Sequence, residues 1–127
     1  MSNRTVILAA WMAIAIALAG AGTYARASSS TINDLTFNRP FSLPGVTLAA
    51  GTYRFEIVNP AMNRDIVRVT SADGRQIYYS GFTQRVVRPL KVPPRQIVTF
   101  GEAEEGRALP VDVWFPVGLT EGKQFRY

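Results

Sequence analysis

The chain has 127 residues, carries 14 Lys and Arg against 9 Asp and Glu, and contains neither histidine nor cysteine. Without imidazole or thiolate it has no Ser-His-Asp or Cys-His machinery, no zinc, copper or haem ligands of the common kind, no disulfide and no lipidated N-terminal cysteine. Its net charge is +5, of which Arg4 and Arg26 fall within the first 27 residues, and the remaining +3 is too mild to imply a nucleic-acid partner.

Residues 1–27 differ from everything that follows. A positive start at Arg4 precedes an uncharged run from Thr5 to Gly22, and Ala25 and Ala27 then form an A-x-A arrangement. This is the order of a secretory signal peptide: an apolar helix enters the membrane, and the peptidase accepts only small side chains beside the scissile bond. Cleavage is expected after Ala27, leaving Ser28 first; the alternative is an uncleaved anchor, because the run sits at the short end of a spanning helix. Residues 28–34 are expected to form a flexible leader. Residues 35–127 are expected to form one domain, large enough to hide a core without covalent staples.

Along that domain Leu35, Phe37, Phe41 and Leu43 share one parity, as in a strand with one buried face, and Pro40 marks an edge or a bulge. Gly45 and Gly51 stand at two corners around a short strand that contains Val46 and Leu48. In "TYRFEIV" Tyr53, Phe55 and Ile57 face one way and Arg54 and Glu56 the other. Asn59-Pro60 opens a turn, and Asp73-Gly74 is a hairpin signal between "IVRVTS" and "IYYSGFTQRVV", where Gly81 is a candidate bulge. "RPLKVPPR" (Arg88 to Arg95) is a proline-rich connector; "QIVTFGE", "PVDVWFP" and "KQFRY" complete the strands. No helical period runs through the domain. About seven to eight short strands, evenly punctuated, predict an all-β antiparallel sandwich or small barrel.

Three groups of residues are candidates for chemistry or binding. Glu102, Glu104, Glu105 and Asp112 are the carboxylates available for acid/base or calcium chemistry, though their spacing matches no calcium loop and a solvated turn accounts for them. Arg85, Arg88 and Lys91 recur every three residues; on a polyproline II course they form one cationic edge suited to an anionic partner. Alternatively, the connector is a stiff crossover whose charges discourage edge pairing. Tyr78 and Trp114 are candidate sugar-stacking platforms. Tyr78 and Tyr79 alternate faces, and the parity of Trp114 is opposite to that of Val111, Val113 and Phe115, which places Trp114 on the outer face or under a loop.

The series "FSLPGVTLAAGTYRF" (Phe41 to Phe55), "SADG" (Ser71 to Gly74), "TFGE" (Thr99 to Glu102) and "WFP" (Trp114 to Pro116) resembles small secreted bacterial proteins of uncharacterised function, each a signal peptide followed by one β-rich domain. "AGTYRFEI" is more loosely similar to transthyretin-like and carbohydrate-binding β-sandwich modules. The resemblance implies an exported β-domain and carries over no catalytic or binding residue. The expected function is that of an exported, non-catalytic β-domain, periplasmic or extracellular, with a structural or interaction role in the cell envelope; the alternative is a small carbohydrate-binding module. The expected partner is an envelope protein, glycan or anionic lipid surface. No cofactor is expected, and the membrane is expected to be met only through the signal segment.

Overall fold

A computed structural model describes residues 32–127 except Asn63. The signal segment 1–27 and the first residues of the expected leader lie outside the described residues.

Among the described residues ten strands, rather than the seven to eight expected, form two sheets: β1 (Ile32–Phe37), β2 (Phe41–Leu43), β3 (Val46–Leu48), β4 (Gly51–Ile57), β5 (Ile66–Ser71), β6 (Ile77–Phe82), β7 (Gln84–Val87), β8 (Val98–Phe100), β9 (Leu109–Trp114) and β10 (Glu121–Gln124). The four-stranded sheet has the order β1-β4-β5-β6. The six-stranded sheet has the order β3-β2-β9-β10-β7, with β8 also paired to β9. The arrangement is all-β and is not a closed barrel. Every pairing is antiparallel except β2 with β9, which run parallel through Phe41↔Leu109 and Ser42↔Pro110. The expected antiparallel pairing holds everywhere among the described residues but at this one contact. Short connections forbid parallel neighbours only for strands adjacent in sequence, whereas β2 and β9 are separated by most of the domain.

One core joins the two sheets. Leu35 and Phe37 of β1, Phe55 of β4 and Val67 and Val69 of β5 meet Phe41 and Leu43 of β2, Val98 of β8 and Val111 and Trp114 of β9. Phe37 stacks on Phe41 with ring centroids 3.9 Å apart, and Phe55 meets Trp114 edge-on at 5.6 Å. Strand β4 follows its alternation: Tyr53, Phe55 and Ile57 are buried. On its outer face, Arg54 pairs with Asp34 and Arg68 with Glu56 across neighbouring strands.

The chain changes sheets at short corners. Leu35 to Leu43 is not one strand, because residues 38–40 break it and send β2 to the other sheet. Pro44 and Gly45 close the β2–β3 hairpin, where Gly45 holds φ +80° at the position that a type II turn reserves for glycine. Ser71 Oγ and the Arg75 N–H donate to Asp73 Oδ1, at 2.6 and 3.0 Å, in the β5–β6 turn, and these bonds hold the Asp73 carboxyl below its ordinary range. The run Ile77–Val87 is likewise two strands in different sheets. Thr83 makes the corner by donating its N–H and its hydroxyl to the Asp65 carbonyl at 2.7 and 2.8 Å.

Two bulges re-phase the side chains. In β9 the register passes from Thr99↔Val113 to Phe100↔Val111, leaving Asp112 as the extra residue. In β6 it passes from Val69↔Tyr79 to Thr70↔Ile77, so the extra residue is Tyr78 and not the expected Gly81.

Candidate functional site

The β9 bulge turns Val111 and Trp114 into the core and sends Val113 and Phe115 to the opposite face. There they form a second, smaller apolar cluster over β10. Gly122 leaves room for it: a Cβ at that position would lie 2.6 Å from both Phe115 Cδ1 and Val113 Cγ1. The connector between β7 and β8 covers this cluster and shapes a depression of ≈ 410 Å³. Val86, Val87, Pro89, Val92 and Val113 are among its apolar lining, and Lys91, Thr99, Asp112 and Gln124 among its polar lining. Asp112 accepts a hydrogen bond from Gln124 Nε2 at 3.1 Å.

The connector is two consecutive turns, closed by Val92 N–H to Pro89 O at 3.0 Å and Gln96 N–H to Pro93 O at 2.9 Å. Arg88 clamps them. Its guanidinium lies 4.3 Å over the Phe115 ring, and its Nη1 donates to Pro93 O and Gln96 O, both at 2.7 Å. Burial lowers the Arg88 pKa from its ordinary value, but a guanidinium stays charged at any physiological pH. The clamp joins a charged donor to two carbonyls and an aromatic face, each contact worth about 1 kcal/mol or more. Arg88→Ala should therefore leave the sheets folded while freeing the connector. The expected result is at least tenfold faster proteolysis within residues 89–96, read by mass spectrometry of the cleavage products.

The expected cationic edge of Arg85, Arg88 and Lys91 does not form. The turns replace a polyproline II course, and the three side chains go to three places. Arg88 faces inward, and Lys91 is exposed beside the depression. Arg85 Nε contacts Asp65 Oδ1 at 3.3 Å and Glu121 Oε2 at 3.4 Å. Its bond to Asp65, reinforced by both carboxylate charges, raises the Arg85 pKa. The same carboxylates hold Lys123, whose side chain is fully buried: Nζ lies 3.0 Å from Glu121 Oε2 and 3.6 Å from Asp65 Oδ1. This four-charge network ties β7 and β10 to the start of β5, across the two sheets.

Trp114 is not a platform for a sugar. It is fully buried, and its indole N–H donates to Asn33 Oδ1 at 3.1 Å. The bulge reverses the parity on which an outward Trp114 depends. Tyr78 does not stand alone on an open face either, because its ring meets Tyr53 edge-on at 5.4 Å. Tyr79 packs on Phe125 at the same centroid distance, so both tyrosines pack against the core. Asn33 also accepts from the Val117 N–H at 3.1 Å, so one amide joins β1 to the end of β9 and the loop beyond it. Ile32, Asn33 and Asp34 belong to β1, although the sequence reading assigns them to the leader; Asn33 shares the parity of Leu35 and Phe37, which is the signal that marks it.

The carboxylates divide between two places. Glu102 and Glu104 line a separate depression with Arg107, and Glu104 pairs with that arginine at 3.5 Å. Asp112 lies in the depression beneath the connector. Among the described residues no group of three Asp or Glu is arranged to hold a metal ion. At the chain's end the Tyr127 hydroxyl donates to Val111 O at 2.6 Å and lies 3.0 Å from Ser42 O; burial is the main cause that raises its pKa.

No protein-family model, curated protein or solved structure matches the chain.

Proposed function

We propose that the chain is an exported, non-catalytic β-sandwich domain of the cell envelope, periplasmic or extracellular, that acts through contacts made at its surface. The reading rests chiefly on the connector-walled depression of the larger sheet. Val87 and Leu90 are largely exposed beside it, 81% and 105% relative to their free surfaces, and the Arg88 clamp holds the segment that presents them. Exposed apolar side chains grouped beside an apolar depression are the kind of surface that a partner covers. The order of charged, apolar and small residues in 1–27 supports export. Expression of the whole chain in a bacterium, followed by fractionation and N-terminal sequencing, should give an envelope or medium protein that begins at Ser28. A cytoplasmic protein that retains Met1 would overturn the reading.

A further inference from the structure

The two turns of the connector are built alike. In Pro89–Val92 the corner residues are Leu90 and Lys91; in Pro93–Gln96 they are Pro94 and Arg95. Each corner therefore presents one apolar residue and one cation, and all four are exposed. Neither Lys91 nor Arg95 pairs with a carboxylate among the described residues, whereas Arg54, Arg68, Arg85 and Lys123 are all paired. No acidic residue occurs from Arg85 to Gln96. Arg88 donates to two carbonyls of the second turn, Pro93 O and Gln96 O, and so ties the start of the connector to its end, which lowers the conformational freedom to be lost on contact.

We propose that this twin-turn tip docks the domain onto an anionic lipid surface, with Leu90 and Val87 entering the headgroup–acyl boundary and Lys91 and Arg95 meeting lipid phosphates. The proposal rests on the surface-contact reading and names its partner. A protein pocket would take up a projecting leucine, but it would have to supply its own acids for both corners; an anionic leaflet offers apolar depth and dense negative charge in one plane. A glycan would need an aromatic face, and residues 88–97 contain no aromatic side chain. The apolar area is small, so the contact is expected to be weak, reversible and sensitive to salt.

The test is co-sedimentation of residues 28–127, the chain left by the expected cleavage, with phosphatidylglycerol-rich vesicles and with phosphatidylcholine vesicles. These residues contain both sheets and the whole core, and omitting the apolar N-terminal segment prevents it from binding lipid by itself. Binding is expected to the anionic vesicles only. Leu90→Ser should weaken it roughly tenfold or more, and Lys91→Gln and Arg95→Gln roughly fivefold each. All three positions are exposed, so unchanged melting of the variants separates lost binding from lost folding. Equal sedimentation with both vesicle types, or binding that survives the triple variant, would overturn the proposal. Absence of vesicle binding together with capture of an envelope protein or glycan that Leu90→Ser abolishes would also overturn it, while leaving the surface-contact reading intact. Failure of vesicles, proteins and glycans alike would remove both.

Discussion

Trp114→Ala should destabilise the domain by about 3–5 kcal/mol, the range for removing a buried aromatic from a core that cannot collapse around the gap. Trp114 has no exposed surface, and its ring packs edge-on against Phe55 within the core. Its indole N–H is one of two donors to Asn33 Oδ1; the other is the Val117 N–H. Trp114→Phe should therefore cost less, about 1–3 kcal/mol, because most of the volume stays and Asn33 retains the Val117 bond. Asn33→Leu should cost a comparable amount through the opposite defect, leaving the indole N–H and the Val117 N–H without their buried acceptor. Urea unfolding followed by far-ultraviolet circular dichroism measures all three. The midpoint should fall in the order Trp114→Phe before Trp114→Ala, at an unchanged slope. A domain of this size has a stability of about 5–15 kcal/mol, so the alanine variant should stand close to its folding threshold at 37 °C. An unshifted midpoint for Trp114→Ala would mean that β9 does not carry the bulge at Asp112.

That bulge also shows where the sequence stops being legible. Alternation reports the face of a strand only while the period of two is unbroken. It holds through β4, and there the inward set of Tyr53, Phe55 and Ile57 and the outward set of Arg54 and Glu56 can be read directly. In β9 the extra residue Asp112 shifts the phase, so Val111 and Trp114 share the core although their spacing is odd. In β6 the extra residue Tyr78 brings two adjacent tyrosines to one side. A bulge leaves no composition mark of its own when the extra residue is not glycine, and Asp112 and Tyr78 look like ordinary members of an alternation. Gly81, which does look like a bulge, instead clears space near the Tyr79 hydroxyl, 2.7 Å from where a Cβ would stand.

The turns were more legible than the faces. Pro44-Gly45, Asn59-Pro60 and Asp73-Gly74 all mark turns, because positive φ or a missing N–H is a local requirement that the residue itself announces. The connector was legible as proline-rich but not as a pair of turns. Its course depends on Arg88, whose partners Pro93 O, Gln96 O and the Phe115 ring come together only when β7 and β9 are already assembled. The cationic period of three at Arg85, Arg88 and Lys91 is real in the sequence, yet each cation answers to a different neighbour. One closes a sheet edge, one holds a loop and one faces solvent. Lys123 gave no signal at all, since nothing in "EGKQF" distinguishes a buried lysine from a solvated one.

Lys123 carries the second large effect. Removing its carboxylates by Asp65→Asn with Glu121→Gln should cost about 3–5 kcal/mol, because a fully buried ammonium would lose both counter-charges while Arg85 remained beside it. Removing the lysine instead should cost less. In Lys123→Met the thioether keeps the apolar stem in place, and Asp65 and Glu121, whose side chains retain 32% and 26% of their exposure, still have Arg85 and water. The two perturbations should not add. Lys123→Met introduced into the Asp65→Asn, Glu121→Gln background removes the stranded charge and should recover most of the lost stability, which a cycle of urea midpoints measures. The corner at Thr83 is unaffected by any of these changes, because it uses the main-chain carbonyl of Asp65. If Lys123→Met alone were the most damaging of the set, the network would be contributing net attraction between the sheets. The expected order has the opposite meaning: desolvation of Lys123 nearly cancels its Coulombic gain, and the carboxylates are required mainly because the lysine is there.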